Sequence, residues 1–457
     1  MIHLLHFENG RVAFEHYPND REPPDFAILS HTWYPDHEEV KYKEIMENSG
    51  QDKKGFQKIR LCGEQAKKDG YQYFWVDTCS IDKTNNSELS EAINSMYRWY
   101  ADAKICYAYL TDVNGMDWEA FENSRWFKRG WTLQELLAPK TMRFYNSEWQ
   151  YLGDKSSLGP RISKITGIDL DVLQNSARIP EYSIAERMSW AAGRETSRVE
   201  DRAYSLLGIF GIDDMPMMYG QGETAFRRLQ ERIMEKSDDY SIFAWQGLQQ
   251  FGPGLLATSP DAFASSESIK PTLDDSNYKL SKQMIDISMK LKPYGPFTYL
   301  GLLNCTNQSN DSYSGIFLRQ LPASKRYARV AYNGDDFDSS PREQISIYQD
   351  IDALIGRMRG TDYTDVPSIG FRIPAQLLSV SYTAKVDHEL VRWDASQRTF
   401  TIPAGVTTTQ GMIGSLQLEQ NKFGIEVVRV GFDKNSNPVC MLAKSYGLSP
   451  SVGCKIA

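Results

Sequence analysis

Apolar runs and helical patterns alternate through the first 150 residues. Residues 26–31 (FAILSH), 73–77 (YFWVD), 104–110 (KICYAYL) and 141–145 (TMRFY) are short apolar runs that predict buried strands. Between the first two, residues 56–68 place Phe56, Ile59, Cys62 and Ala66 at helical spacing. Residues 88–101 put Leu89, Ile93, Met96, Tyr97 and Tyr100 on one helical face, with Ser87 as the expected cap. Glu88 and Glu91 fall in that helix's first turn, where the helix dipole favours them. Another helix is expected around 126–137. Strands alternating with helices predict a mostly parallel sheet covered on both faces.

Residues 150–182 are less regular, and residues 183–236 read as helices. Ser183 with Glu186, and Ser197 with Glu200, have the S-x-x-E spacing of capping boxes. A later helix carries Phe226, Leu229 and Ile233 on one face and is expected to start from the turn Tyr219-Gly220-Gln221-Gly222. From about residue 241 the pattern changes to short strands, including 240–245, 284–291, 297–305, 315–321, 326–332, 368–373, 398–402, 423–432 and 438–444. Pro, Gly, Asn, Asp and Ser punctuate them, and 333–350 reads as a long polar loop. The expected architecture is an α/β domain with appended helices over 1–240, then a β-rich, sandwich-like domain over 241–457. Its position suggests that the second domain is regulatory.

Length and composition agree with this division. The chain has 457 residues, 41% hydrophobic and 24% charged, enough for a sizeable core in each of two or three domains. The net charge of −8 argues against nucleic acid as the main partner, because phosphate backbones need a basic surface. The six cysteines form no C-x-x-C pair, which predicts reduced thiols in a cytoplasmic protein rather than a zinc site or disulfide scaffold. His3 and His6 are too isolated to predict a metal site. The opening MIHLLHFENGRVAF lacks the basic and long apolar regions of a signal peptide, and no run approaches a membrane span.

Ligands of open α/β sheets bind beyond the carboxyl ends of the strands. The first strand ends in Ser30-His31-Thr32-Trp33, the second in Asp77-Thr78-Cys79-Ser80, the third in Thr111-Asp112. The segment after them, Ser124 to Leu136, is dense in Trp and Arg and carries one carboxylate, Glu135. If this segment is helical, Trp131 and Glu135 share a face. There is no G-x-G-x-x-G and no P-loop, so a dehydrogenase or NTPase nucleotide site is not expected.

FAILSHTW, YFWVDTCSIDK with SELSEAINSMYRWY, and RWFKRGWTLQELLAPK resemble the three signature blocks of fungal heterokaryon-incompatibility (HET) domains. RMSWAAGRETSRVEDRAYSLLGIF, MPMMYGQGETAFRRLQERI and SDDYSIFAW resemble the region C-terminal to that domain in one subgroup, so the likeness spans roughly residues 1–260. The resemblance implies a role in nonself recognition between fungal strains, ending in growth arrest or cell death. HET domains are considered distant relatives of TIR domains, which are flavodoxin-like, and several TIR domains cleave NAD with a glutamate in a Trp-Cys-x-x-Glu-Leu motif. Trp131-Thr132-Leu133-Gln134-Glu135-Leu136 is similar, which makes Glu135 the catalytic candidate for an NAD glycohydrolase.

In that reading NAD is the substrate, and no cofactor or metal is expected. Ser30, His31 and Asp77 are candidates to hydrogen-bond the nucleotide, Trp33 and Trp131 to stack on it, and Arg125 and Arg129 to pair with its pyrophosphate. Homo-oligomerisation on activation and a separate sensor protein are the expected partners. Several residues also have structural readings. Trp126 and Trp131 suit core anchors, Asp77 suits a cap, Cys79 suits a buried thiol, and Arg194, Glu200 and Asp201 suit an ion-pair network positioning helices. The competing function is a non-catalytic signalling module that works by assembly.

Overall fold

The computed structural model describes residues 1–246 apart from Asn19, segments of 254–330, and beyond that the backbone of strand segments alone. The chain divides into two compact units. One is Met1–Ser237 with Thr258–Glu267, and the other is Asp238–Ala257 with Ser268–Ala457.

The first unit is built on a seven-stranded sheet. Its strands are β1 (Ile2–Glu8), β2 (Arg11–Tyr17), β3 (Phe26–His31), β4 (Tyr73–Trp75), β5 (Ile105–Tyr109), β6 (Met142–Tyr145) and β7 (Tyr151–Asp154). They lie in the order β2-β1-β4-β3-β5-β6-β7. β4, β3, β5 and β6 are parallel to one another, and antiparallel strands flank them on both sides. Every residue of β3 and β5 is buried, as the near-continuous apolar runs of central parallel strands require. Counted along the chain, the four parallel strands stand in the order 2-1-3-4, so the direction of winding reverses between β3 and β5. A crevice opens at such a reversal, at the carboxyl ends of the strands.

The β1–β2 hairpin lies outside the strands predicted above. Asn9 and Gly10 turn it with φ of 49° and 79°, and this Asn-Gly pair is the sequence signal for a two-residue hairpin.

Helices cover the sheet: α1 (Tyr42–Met46), α2 (Lys54–Lys68), α3 (Asn86–Asp102), α4 (Trp118–Asn123), α5 (Arg125–Lys128) and α6 (Thr132–Leu137). α2 buries Ile59, Cys62 and Ala66 against the core, as its spacing predicts. α3 is capped by Asn85, two residues before the expected Ser87. The Asn85 side chain accepts hydrogen bonds from the Ser87 and Glu88 amides at 3.1 and 3.3 Å.

The helix expected over 126–137 is instead two short helices with a break at Arg129-Gly130. The break has a cause. The Gly130 amide donates to the Glu195 carbonyl at 2.7 Å and the Glu195 amide to the Lys128 carbonyl at 2.6 Å, stitching this segment to the region after the sheet. A Cβ on Gly130 would stand 2.5 Å from the Thr196 side chain, so only glycine allows the approach.

Beyond β7 come α7 (Gly159–Thr166), α8 (Leu170–Gln174), α9 (Ile184–Ser189), α10 (Asp201–Tyr204) and α11 (Thr224–Met234). The Ser183–Glu186 capping box forms as expected. The Ser197–Glu200 box does not, because a Glu200 carboxylate oxygen accepts from the Gly220 and Gly222 amides at 2.7 and 2.9 Å. α11 buries Phe226, Leu229 and Ile233, as predicted.

In the second unit, residues 240–245 do not form the expected strand. Tyr240–Phe243 is a 3-10 turn, and Arg329 takes up the Phe243 and Trp245 carbonyls at 2.7 and 2.6 Å. The strands β8 (Met284–Gly295), β9 (Thr298–Asn307), β10 (Ser312–Gln320), β11 (Arg326–Val330) and β12 (Arg342–Tyr348) pair in a closed ring, β8-β9-β10-β11-β12 and back to β8. This is a barrel-like closure where the sequence suggested a sandwich. β12 also replaces part of the loop expected over 333–350, whose remaining residues lie outside those described. Four- and five-stranded sheets of mainly C-terminal strands complete this unit. Among the described residues no helix is long and apolar enough to cross a membrane.

Candidate functional site

The crevice at the ends of β3 and β4 is the mouth of a pocket of about 600 Å³ within the first unit. Its lining joins the strand ends (Thr32, Trp33, Asp77) to α3 (Leu89, Ile93, Met96). It continues through Arg125, Lys128, Arg129, Trp131 and Glu135, and its far wall is the segment 195–201 with Tyr219. The apolar helical face predicted over residues 88–101 thus turns three of its residues toward the pocket.

Glu135 sits in the floor, 5% exposed. Its carboxylate accepts a hydrogen bond from the Ser30 hydroxyl at 2.5 Å, and Ser30 in turn accepts from the Trp126 indole at 2.8 Å. Burial pushes the Glu135 carboxyl up to about 7, and nearby Asp77 adds to this. Arg129, Ser30 and Tyr100 pull the other way. A carboxyl raised this far by burial beside a cation is a perturbation associated with functional carboxylates.

Asp77 lines the pocket and accepts from the Trp33 indole at 2.8 Å. This brace, rather than a helix cap, is its structural role, since α3 is capped by Asn85. His31 lies behind it, buried, with Nε2 3.5 Å from Asp77. Burial, then the nearby Lys58, Arg129 and Lys83 charges, hold His31 well below its ordinary pKa, so it is neutral at pH 7. Trp33 is 40% exposed, with Lys83 3.9 Å and Arg129 4.8 Å from its ring centroid. Arg129 also donates to the His31 carbonyl at 3.3 Å.

The structure thus brings Trp33, Asp77, Arg125, Arg129, Trp131 and Glu135 onto one pocket. It places Ser30 and His31 beneath the floor, where neither lines the cavity. The Ser30 hydroxyl is turned to Glu135. Arg125 stands at the rim and pairs with Asp112 at 3.6 Å, and Asp112 also accepts from the Ser124 hydroxyl at 2.7 Å, so the end of the third strand fastens α5. Trp126 is fully buried and serves as a core anchor. Burial raises the Cys79 thiol to about 12, which removes it as a nucleophile. Among the described residues no His, Cys, Asp and Glu cluster could hold a metal.

The ion-pair network expected of Arg194, Glu200 and Asp201 is absent. Arg194 is buried and donates to the Trp190 and Arg129 carbonyls at 3.0 and 3.1 Å and to the Thr132 hydroxyl at 3.3 Å. Asp201 accepts from the Tyr219 hydroxyl at 2.9 Å. Sequence reasoning missed Lys83, Arg198 and Tyr219 as pocket residues. Tyr219 was read only as the start of a helix, and its neighbouring glycines were the available signal.

The heterokaryon-incompatibility protein (HET) family matches residues 26–118, which supply the ends of β3 and β4 and the α3 face of this pocket. Residues 26–118 are thus similar to HET domains. A domain of unknown function (DUF8212) matches residues 224–253. Over 226 residues the chain is 49% identical to vegetative incompatibility protein HET-E-1 of Podospora anserina, covering 47% of this chain and 16% of that protein. The chain therefore matches less than a fifth of its relative's length. No solved structure matches. The residues of α5, α6 and the far wall complete the pocket from beyond the family match.

Proposed function

We propose that this protein is an effector of the heterokaryon-incompatibility response whose HET domain cleaves the nicotinamide–ribose bond of NAD. The observation that carries this reading is Glu135, a buried carboxyl poised near pH 7 at the floor of a pocket lined by tryptophans and cations. The 2-1-3-4 order of the parallel strands, with a pocket beyond the carboxyl ends of β3 and β4, supports kinship with flavodoxin-like TIR domains. The relative's printed name, a vegetative incompatibility protein, supports the cellular role.

Cleavage of an N-glycosidic bond builds positive charge on the ribose, as in glycoside hydrolysis. A carboxylate beside the ribose holds its hydroxyls and stabilises that charge. Nicotinamide leaves neutral with the bonding electrons, so no general acid is required. Water then adds to the ribose carbon, and its proton passes to a pocket carboxylate. Trp33 and Trp131 offer aromatic faces for the leaving ring, and Arg129 offers a partner for the pyrophosphate.

The test is nicotinamide release from NAD by the purified chain at high protein concentration, beside Glu135→Ala. Release by the wild type and loss in the variant support the reading. No release by either moves the assignment to a non-catalytic module that signals by assembly.

A further inference from the structure

The break between α5 and α6 leaves carbonyls without helical partners, as any helix end does. Arg194 brings donors to it. Its side chain is buried, and its Nε donates to the Trp190 carbonyl at 3.0 Å. Its Nη1 donates to the Arg129 carbonyl at 3.1 Å and to the Thr132 hydroxyl at 3.3 Å, one acceptor on each side of Gly130. Among the described residues no carboxylate pairs with Arg194, and burial lowers its pKa to about 10. A cation buried among neutral acceptors costs solvation energy. Its planar fork, in return, holds several acceptors in one fixed geometry.

The Thr132 hydroxyl passes this constraint on. Thr132 is fully buried, and its hydroxyl lies 2.5 Å from the Trp126 carbonyl and 2.7 Å from that of Arg129, to either of which it donates. Trp126 donates from its indole to Ser30 at 2.8 Å, and Ser30 donates to Glu135 at 2.5 Å. One run of hydrogen bonds thus leads from Arg194 through Thr132, Trp126 and Ser30 to the floor of the pocket. A shorter route holds the backbone of Arg129, whose side chain lines the pocket and favours the ionised form of Glu135. Arg194 itself is not part of the lining.

We propose that Arg194 is a positioning residue for Glu135 and Arg129, acting through the Arg129 carbonyl and the Thr132 hydroxyl. It sets where the carboxylate and a pocket cation stand without touching a ligand. Removing the guanidinium frees the break at Gly130, and the Ser30 bond and the Arg129 charge both lose their aim at Glu135. Both favour the ionised carboxylate, as does Tyr100 from α3, while Asp77 beyond β4 opposes it. The Cys106 thiol of β5, raised by burial, stays neutral beside them. Loss of the clamp therefore raises the pH at which Glu135 titrates. This rests on the reading that Glu135 is the working carboxylate of the site.

The experiment follows the Glu135 carboxyl directly, by carbon NMR of the full chain with labelled glutamate carboxyls, its signal assigned by its loss in Glu135→Gln. Wild type is expected to titrate near 7. Arg194→Met should titrate higher by roughly 1 pH unit, the size of one lost hydrogen bond to a charged group. Arg194→Lys should fall between them, because an ammonium cannot reproduce the planar fork. Thr132→Val cuts the run of bonds and leaves Arg194 in place. It should move the titration in the same direction, and it decides the matter if Arg194→Met does not fold. Ile162→Val truncates the buried face of α7 and should lower stability without moving the titration. A titration unmoved in Arg194→Met or in Thr132→Val, one that moves as far in Ile162→Val, or a wild-type carboxyl titrating in the ordinary range overturns the inference. None of these readings needs turnover. A wild type that releases no nicotinamide sinks the glycohydrolase reading and leaves the titration to judge Arg194. NAD cleavage with an unmoved titration in the variants does the reverse.

Discussion

Glu135→Gln is the sharpest probe of the site's electrostatics, because it keeps the shape of the side chain and removes only the ionisation. The native carboxyl titrates near 7 against an ordinary value of 4.5, with burial the main cause. Between those two pH values the folded protein holds a proton that the unfolded chain has released. Folding stability therefore falls as pH rises from about 4.5 to about 7, and it is flat with respect to this group outside that window. At about 1.36 kcal/mol per pH unit, the ionised carboxylate costs the native state on the order of 3 kcal/mol above pH 7. Gln carries no such cost and still accepts the Ser30 hydroxyl.

The assay is thermal unfolding followed by tryptophan fluorescence from pH 5 to 8. Eight of the ten tryptophans lie in the first unit, so the signal reports chiefly on that unit. At roughly 2–4 °C per kcal/mol for a unit of this size, Glu135→Gln should unfold up to about 6–12 °C higher than wild type at pH 8. The two should converge near pH 5. Groups common to both proteins cancel in the difference. A difference that stays constant across the range, or a variant less stable than wild type at pH 8, refutes the reasoning.

The same carboxyl fixes the sign of the pH–rate profile. Because the anion stabilises developing positive charge, nicotinamide release should rise through about pH 7. A rate falling through that pH would contradict the assignment. Gly130→Ala forces a methyl to within 2.5 Å of Thr196, so it should destabilise the first unit by about 1–3 kcal/mol and shift the wall away from Arg129. Chemical denaturation measures this, and an unchanged midpoint would show that the contact relaxes freely. A fragment ending at residue 267 should fold and release nicotinamide faster than the whole chain if the second unit is inhibitory. A fragment ending near 240 should be less stable, because it loses the Asp261 bonds to the Gly193 amide at 2.8 Å and to Arg202 at 2.6 Å. Differential scanning of the two fragments decides the second point, and equal melting would count against it.

The parallel core was legible because its strands are apolar on both faces and its helices keep a clean period. What escaped was set by contacts distant in sequence. The kink at Gly130 results from backbone bonds to Glu195, and nothing near Gly130 in the sequence announces them. Glu200 and Arg194 were misassigned for the same reason. Charged residues close in sequence suggest ion pairs, yet both side chains meet backbone groups supplied by other segments.

The candidate site shows the same division. Strand ends and the Trp–Glu spacing pointed to Trp33, Asp77, Trp131 and Glu135, whereas Ser30 and His31 alternate into the protein behind them. Ser30 nevertheless matters, because its hydroxyl, donating at 2.5 Å, joins Arg129 and Tyr100 in favouring the charged form of a carboxylate that burial disfavours. A ligand bringing positive charge to that carboxylate, as the nicotinamide ring of NAD does, would relieve the cost of ionisation. Binding and ionisation of Glu135 are then coupled, so affinity for the cationic ring should strengthen over the same pH interval in which the empty protein loses stability.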